Sequence, residues 1–190
     1  ILYSGSSAIY GNHKKIPTDE SAEINCMNPY SFQKYEVEKY FELIATRYPL
    51  NYVTLRYFNP YGPRSFNPKN PFNAYSSVLG IFLNKRKEGK VLQVTGDGSQ
   101  QRDFIYIEDV AKANYLAAIH PEKLNTVFNI GSGSTLSILE VAKMISDRYE
   151  FIPKREGEAD ITFADISKAI KILKWKPHYN LQNFIDSFPQ

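Results

Sequence analysis

The sequence is poor in the residues that staple or metallate small folds. Among its 190 residues there are one cysteine, Cys26, and three histidines, His13, His120 and His178. A single cysteine excludes an internal disulfide and fits a reducing compartment, most simply the cytoplasm. The histidines stand apart without zinc-ligand spacing, so no metal site is expected. None is near Cys26 in sequence and no nucleophile signature surrounds it, so it is not read as a catalytic thiol. No stretch approaches the ~18 uninterrupted apolar residues of a membrane-spanning helix, so no membrane contact is expected. Net charge is also small, 23 Lys and Arg against 20 Asp and Glu giving +3. The densest basic run, Lys85-Arg86-Lys87, reads as the solvated end of a helix, and nucleic acid is not an expected partner. Nor is there an initiating Met or a basic leader. Ile1-Leu2-Tyr3 runs straight into what reads as a strand, so the chain is expected to be a piece of a longer protein.

What is present suffices for a packed fold: 43% hydrophobic residues, with 14 Tyr and 12 Phe. This length allows one core, or a core with a small lobe attached. Ile1 to Tyr3 reads as a buried strand stopped by a polar loop, Ser4-Gly5-Ser6-Ser7. After Asn28-Pro29, apolar residues including Tyr40, Phe41 and Ile44 recur at three and four, which predicts an amphipathic helix ended by Pro49. Residues 51–58 are rich in β-branched and aromatic types and predict a strand, closed by Asn59-Pro60-Tyr61-Gly62-Pro63. Strand, helix and strand with short joints make a parallel crossover unit. Residues 64–72, rich in proline and asparagine, predict a loop. A helix is expected over about 73–87, stopped by Gly89, then a strand over Val91–Thr95 and a turn at Gly96-Asp97-Gly98-Ser99.

Ile107-Glu108-Asp109 opens another helix, with two acids where the helix dipole favours them, and Pro121 closes it. Val127–Ile130 reads as a strand ending at Gly131-Ser132-Gly133. Ser137 and Glu140 have capping-box spacing for a helix to about Tyr149, and short helices follow near 166–173 and 181–188. The alternation predicts an α/β protein with a mostly parallel sheet. Its ligand belongs outside the carboxyl ends of the strands, near Ser4–Ser7, Asn59 and Gly131. The glycines at 131 and 133 complete neither a Walker loop nor a GxGxxG fingerprint, so they read as a strand-to-helix turn.

Tyr30 and Lys34 stand four apart at the start of the first helix, one turn apart on one face. A phenol is a poor base at neutral pH, but an ammonium held nearby favours the phenolate, which is the chemistry a carbonyl reductase needs. Alone, Tyr-x-x-x-Lys arises often by chance. Here a strand ending in Ser6-Ser7 stands just upstream, so a hydroxyl can meet the phenol at the sheet's carboxyl edge and bind a substrate oxygen.

Several motifs then follow in order: Ser6-Ser7-Ala8-Ile9-Tyr10-Gly11; Pro29-Tyr30 with Lys34; Leu55 to Arg64; Gly96-Asp97-Gly98-Ser99 with Arg102-Asp103-Phe104 and Glu108-Asp109-Val110; Ala164-Asp165 and Trp175-Lys176-Pro177. Together they resemble the extended short-chain dehydrogenase/reductases, the NAD-dependent epimerases and dehydratases. Within these the likeness is greatest to nucleotide-sugar 4-epimerases of the UDP-glucose and UDP-N-acetylglucosamine kind. The resemblance implies the C-terminal portion of a Rossmann-type parallel sheet with a small α/β substrate-binding lobe. Residues 1–62 and about 103–135 would belong to the NAD-binding part, and about 63–102 and 136–190 to the sugar-nucleotide lobe.

By the same resemblance, Ser6 bridges the sugar's 4-oxygen to the base Tyr30, and Lys34 binds the nicotinamide ribose and lowers the phenol's pKa. Tyr57 joins Tyr30 and Lys34 at the cofactor. Asn59 would bond the substrate diphosphate, Arg102 and Arg155 would clamp it, and Glu158 would reach the ribose in place of a usual Asp. Thr162 would line the sugar pocket, where a small residue leaves room for an N-acetyl group. The implied partners are a UDP-sugar and a second copy of the protein in a homodimer. The family's GxxGxxG turn for the NAD pyrophosphate has no match here, so this chain alone is expected to hold NAD weakly and to be inactive. Other readings stay open. The 4,6-dehydratases of the family place Asp-Glu where this chain has Ser7 and Ala8. A UDP-glucuronate-processing enzyme, or a non-catalytic remnant that binds a nucleotide sugar, is also compatible.

Overall fold

The computed structural model describes residues 1–65, 77–154 and 156–188. The chain opens with strand β1 (Leu2–Ser6), a 3-10 turn over Ser7–Tyr10, helix α1 (Pro29–Ala45) and strand β2 (Val53–Tyr57). β1 and β2 are parallel, with Leu2 opposite Val53 and Ser6 opposite Tyr57. Strand β7 (Thr126–Ile130) extends the sheet beyond β2, again parallel. The α/β class and parallel sheet are those the alternation predicts.

The first strand outlasts its apolar run and pairs through Ser6. Gly5 permits this, since a Cβ there would lie 2.8 Å from Thr54 Cγ2 and 3.0 Å from Glu38 Oε1. Only bare backbone lets the strand pass so close beneath α1. That helix starts where the sequence says: Asn28 and Ser31 form a reciprocal capping box and Pro29 occupies the first turn. The opposite face of the sheet is covered by α3 (Ile107–Ala118) and α5 (Ser167–Leu173), around a core that includes Leu55, Val110, Phe128, Leu173 and Trp175.

A second core surrounds a two-stranded parallel pair, β4 (Leu92–Thr95) with β9 (Tyr149–Ile152). Helices α2 (Val78–Lys87), α4 (Ile138–Ile145) and α6 (Leu181–Ser187) bury Phe82, Val141 and Ile185 around Leu92 and Val94. Two short ladders carry the chain between the cores, β3 (Pro60–Tyr61) with β6 (Ile105–Tyr106) and β5 (Gln101–Arg102) with β8 (Leu136–Ser137).

Three further expectations change. The helix expected from about 73 starts at Val78, because Ser77 is extended and its side chain caps Gly80 N. Residues 66–76, which include most of the expected 64–72 loop, lie outside the described residues. The capping box of Ser137 and Glu140 forms, but the helix stops at Ile145 and not Tyr149. Ser146 is extended, and Tyr149–Ile152 is drawn into a strand by pairing with β4. Finally, Asp109 is not a solvated partner of the helix dipole. It is 3% exposed and accepts from the backbone of His178 and Tyr179, while its carbonyl accepts from Trp175 Nε1 at 2.9 Å, so it ties the C-terminal segment to α3. Among the described residues no helix is long and apolar enough to cross a membrane.

Candidate active site

Tyr30, Lys34 and Ser6 lie around the carboxyl end of β1. Lys34 Nζ donates to the Ser4 carbonyl at 2.9 Å and stands 5.9 Å from the centre of the Tyr30 ring. The Tyr3 hydroxyl holds the same turn by donating to the Lys34 carbonyl at 3.3 Å. Burial first, then the neighbouring Glu38 and Tyr30, push the Tyr3 phenol above its ordinary value, so it stays a donor. Ser6 is nearly buried and its Oγ accepts from Ala8 N at 3.2 Å, capping the 3-10 turn. That contact uses a lone pair and leaves the hydroxyl hydrogen for a second partner. Tyr57, opposite Ser6 in register, bonds Ser4 Oγ at 3.2 Å and donates to Asn114 Oδ1 at 3.0 Å. Ser4 therefore meets Lys34 through its carbonyl and Tyr57 through its hydroxyl.

At the end of β2 the chain turns sharply, with Asn59 at φ 37°, a left-handed conformation uncommon for residues other than glycine. Asn59 Nδ2 donates to the Asp103 carbonyl at 2.8 Å and to Thr162 Oγ1 at 3.0 Å. Thr162 Oγ1 also accepts from Asp103 N at 3.3 Å. Asn59 and Thr162 are thus brought together, with both amide hydrogens of Asn59 engaged inside the protein. Thr162 sits between two isolated bridges, Gln101 with Ile161 and Thr18 with Ala164, and not within a regular strand.

The Asp103 carboxylate closes this region from behind. It accepts from Ser132 N at 2.6 Å, Ser132 Oγ at 2.7 Å, Gly133 N at 3.2 Å and Ala164 N at 3.1 Å. Burial pushes its carboxyl up to about 6, against the pull of these four bonds. The backbone donors that would make the 131–133 turn a phosphate cradle are therefore taken by an internal carboxylate, which agrees with the strand-to-helix reading. Gly131 is needed there because a Cβ would come within 2.6 Å of Ala164 Cβ and 2.7 Å of Asp103 Oδ2.

Arg102 and Glu158 also meet. Arg102 Nη2 reaches Glu158 Oε2 at 3.4 Å, and Nη1 donates to the carbonyls of Gln101 at 2.9 Å and Asp160 at 3.4 Å. Burial lowers the Arg102 pKa below its ordinary value while Glu158 and Asp160 oppose this. Beside them, at the carboxyl ends of β4 and β9, opens a cavity of about 490 Å³ lined by residues that include Gly96, Gln100, Lys154, Asp160 and Ile161. Arg155 lies outside the described residues.

The profile of the NAD dependent epimerase/dehydratase family matches residues 1–131. The chain belongs to this family. A putative UDP-glucose 4-epimerase of Methanocaldococcus jannaschii is 36% identical over 191 residues, covering 97% of this chain and 60% of that protein. Among solved structures, a UDP-N-acetylglucosamine 4-epimerase from Methanobrevibacter ruminantium, in complex with UDP-N-acetylmuramic acid, superposes with a TM-score of 0.89. It is 31% identical, and the match covers 98% of this chain and 60% of that one. A Thermotoga maritima UDP-glucose 4-epimerase with UDP-glucose also gives 0.89, at 32% identity and with 98% and 61% coverage. The chain spans about 60% of the length of these relatives. The architecture is accordingly a portion of the Rossmann-type epimerase fold, and the family's cofactor is NAD.

Several contacts that order this site are not foreseen by the sequence reading, although Tyr10, Arg56, Asp103 and Asp109 stand in its motifs. Glu38 and Arg56 form a buried pair behind β1, Tyr10 and Asn129 extend it, and Asp103 and Asp109 clamp the loops. For the buried pair the signal is Arg56: a charged residue inside the apolar run 51–58 of a central strand must find a partner or cost the fold dearly.

Proposed function

We propose that the whole protein interconverts carbon-4 epimers of UDP-hexoses through a 4-keto sugar. The observation that carries this reading is the Lys34 ammonium, set between the Ser4 carbonyl and the Tyr30 ring with Ser6 at the same strand end. Tyr30 accepts the proton of the 4-hydroxyl while Ser6 donates to the sugar's 4-oxygen and holds it in line. The 4-keto sugar turns within the site, and Tyr30 returns its proton when the opposite face has been reduced. Taking and returning the hydride at carbon 4 is the chemistry NAD supplies when bound. This chain's polar groups fit the ribose end of that cofactor: an ammonium has three hydrogens and Lys34 gives one to Ser4, while Tyr57, whose own hydrogen goes to Asn114, offers its phenol oxygen as an acceptor.

Residues 1–62 and about 103–135 would face the cofactor, and about 63–102 with 136–190 the sugar nucleotide, with α5 and Trp175 of the second range packed against the three-stranded sheet. Arg102 and Arg155 clamp the diphosphate, and Glu158, held by Arg102, faces the ribose. Thr162 borders the sugar, and its size admits UDP-N-acetylglucosamine as well as UDP-glucose. Asn59 enters through Thr162, since a diphosphate bound by its amide would displace Asp103 or Thr162 from it. The protein acts as a cytoplasmic homodimer. In an epimerase assay of the full-length protein, Tyr30→Phe should lower turnover at least ~10²-fold with UDP-sugar binding nearly unchanged. Near-normal turnover would make Tyr30 a packing residue and end this reading.

A further inference from the structure

Behind the site runs a row of buried polar groups that the proposed reaction does not touch. Glu38 on α1 is 1% exposed and Arg56 on β2 is 5% exposed. Arg56 Nε donates to the two Glu38 oxygens at 3.2 and 3.1 Å, and Nη2 donates to Oε2 at 2.7 Å. The other arm, Nη1, donates at 2.7 Å to the Tyr10 hydroxyl, which in turn donates to Asn129 Oδ1 at 2.7 Å. Asn129 Nδ2 completes the row at the Thr18 carbonyl, 2.9 Å away. One continuous set of bonds thus crosses α1, β2, the 3-10 turn and β7.

Such a row is weak support for stability, because well-packed apolar side chains of the same volume serve as well or better. What it does provide is a fixed relation between the pieces it joins. Glu38 lies one helical turn beyond Lys34 and two beyond Tyr30, so the three form a single stripe along α1. Tyr10 is the last residue of the turn that Ser6 caps. Gly5, between Ser4 and Ser6, is the opening through which Glu38 approaches the sheet. The row therefore connects the strand end that presents Ser6 to the helix stripe that presents Tyr30 and Lys34.

We propose that Glu38, Arg56 and Tyr10 are positioning residues whose buried hydrogen-bonded row sets the separation of Ser6 from Tyr30 and Lys34. The proposal rests on the 4-epimerase reading above. It explains why the pair is a bidentate guanidinium fork, which constrains orientation, and not a single-point contact. Arg102 lies on β5, between the two cores and outside the row, so losing the row should misplace the reacting groups without loosening the nucleotide.

The test uses the full-length protein with UDP-glucose. Tyr10→Phe keeps the ring and removes the hydroxyl shared by Arg56 and Asn129. Its kcat should fall between about tenfold and hundredfold, the scale of an ångström-sized misplacement, with KM within about twofold of wild type. Because Tyr10 acts through Ser6, adding Tyr10→Phe to Ser6→Ala should reduce kcat little further. Glu38→Gln, which turns an amide N–H toward the Arg56 fork, carries the same kcat-against-KM test from the α1 side should Tyr10→Phe fail to fold. Unchanged kcat in an active protein, parallel loss of kcat, substrate affinity and thermal stability, or an additive double mutant would each overturn the proposal. A wild type with no 4-epimerase activity would overturn the reaction reading itself, and the proposal with it.

Discussion

Asp103 offers a measurement whose sign follows from its surroundings. Its folded carboxyl titrates at about 6 because burial penalises the charge more than four hydrogen bonds restore it. In the unfolded chain an Asp titrates near ~3.9. Between these values the folded protein binds more protons than the unfolded one, so this group's contribution to stability falls as the pH rises through that window. With folded and unfolded values about two units apart, the change between pH 4 and pH 7 amounts to about 2 kcal/mol, part of the window lying below pH 4. Asp103→Asn removes this titration and leaves the other groups in place. The amide has its own defect, since whichever oxygen becomes NH2 meets at least one backbone N–H: Ser132 N on one side, Gly133 N and Ala164 N on the other. That defect is independent of pH, so the informative quantity is the change in the difference. Urea unfolding of wild type and Asp103→Asn at pH 4 and pH 7 should show the stability advantage of wild type shrinking by about 2 kcal/mol at the higher pH. An advantage that grows with pH would mean that the four donors outweigh burial and that the charge is what the cage is built to hold.

Other outcomes follow from single contacts. Gly131→Ala places a Cβ 2.6 Å from Ala164 Cβ and 2.7 Å from Asp103 Oδ2, so the urea midpoint should fall by an amount equivalent to about 1–3 kcal/mol. Asp109→Ala strips the acceptor from two backbone donors, His178 N and Tyr179 N. It should destabilise by about 2–4 kcal/mol and expose the segment beyond Trp175 to limited proteolysis, and a protected segment would show that the Trp175 indole suffices. For the full-length protein, Thr162→Val removes the acceptor shared by Asn59 and Asp103 N and should slow UDP-glucose and UDP-N-acetylglucosamine alike. Thr162→Tyr adds bulk and should cost the acetylated sugar at least ~10-fold more than Thr162→Val does, and equal losses on both sugars would refute a size filter at this position.

The elements that the sequence announced are those whose stabilisation is local. Asn28, Pro29 and Ser31 start α1, Ser137 and Glu140 start α4, and the β-branched run at 53–57 forms the middle strand, as cap chemistry and periodicity require. Where partners are distant in sequence, the local signal pointed elsewhere. Residues 146–149 continue an amphipathic pattern, yet β4 claims Tyr149–Ile152 as a strand. Ser4, Gly5 and Ser6 have low intrinsic strand preference, and the ladder with β2 overrides it because Gly5 gives α1 its approach.

The same division holds at the site and explains which of its residues were visible. Tyr30 and Lys34 could be paired from their spacing, because a helix places positions four apart together whatever surrounds them. Nothing in the spacing of Asn59, Asp103 and Thr162 brings them together. Their contacts span 44, 59 and 103 positions of chain and exist because the chain folds back on the end of β2. Glu38 was the least visible of all, since a Glu one turn beyond a Lys on a polar-looking helix reads as a solvated surface pair. The residue that should have revealed it was Arg56. A guanidinium between Leu55 and Tyr57 in a central strand has nowhere to go but inward, and an inward charge demands a carboxylate on whatever helix covers that face. Of the acids on α1, Glu38 and Glu42 continue the stripe set by Tyr30 and Lys34, and Glu38 is the one a single turn beyond Lys34. A charge out of place in an apolar strand thus predicts both the existence of a partner and the side of the helix on which to look for it.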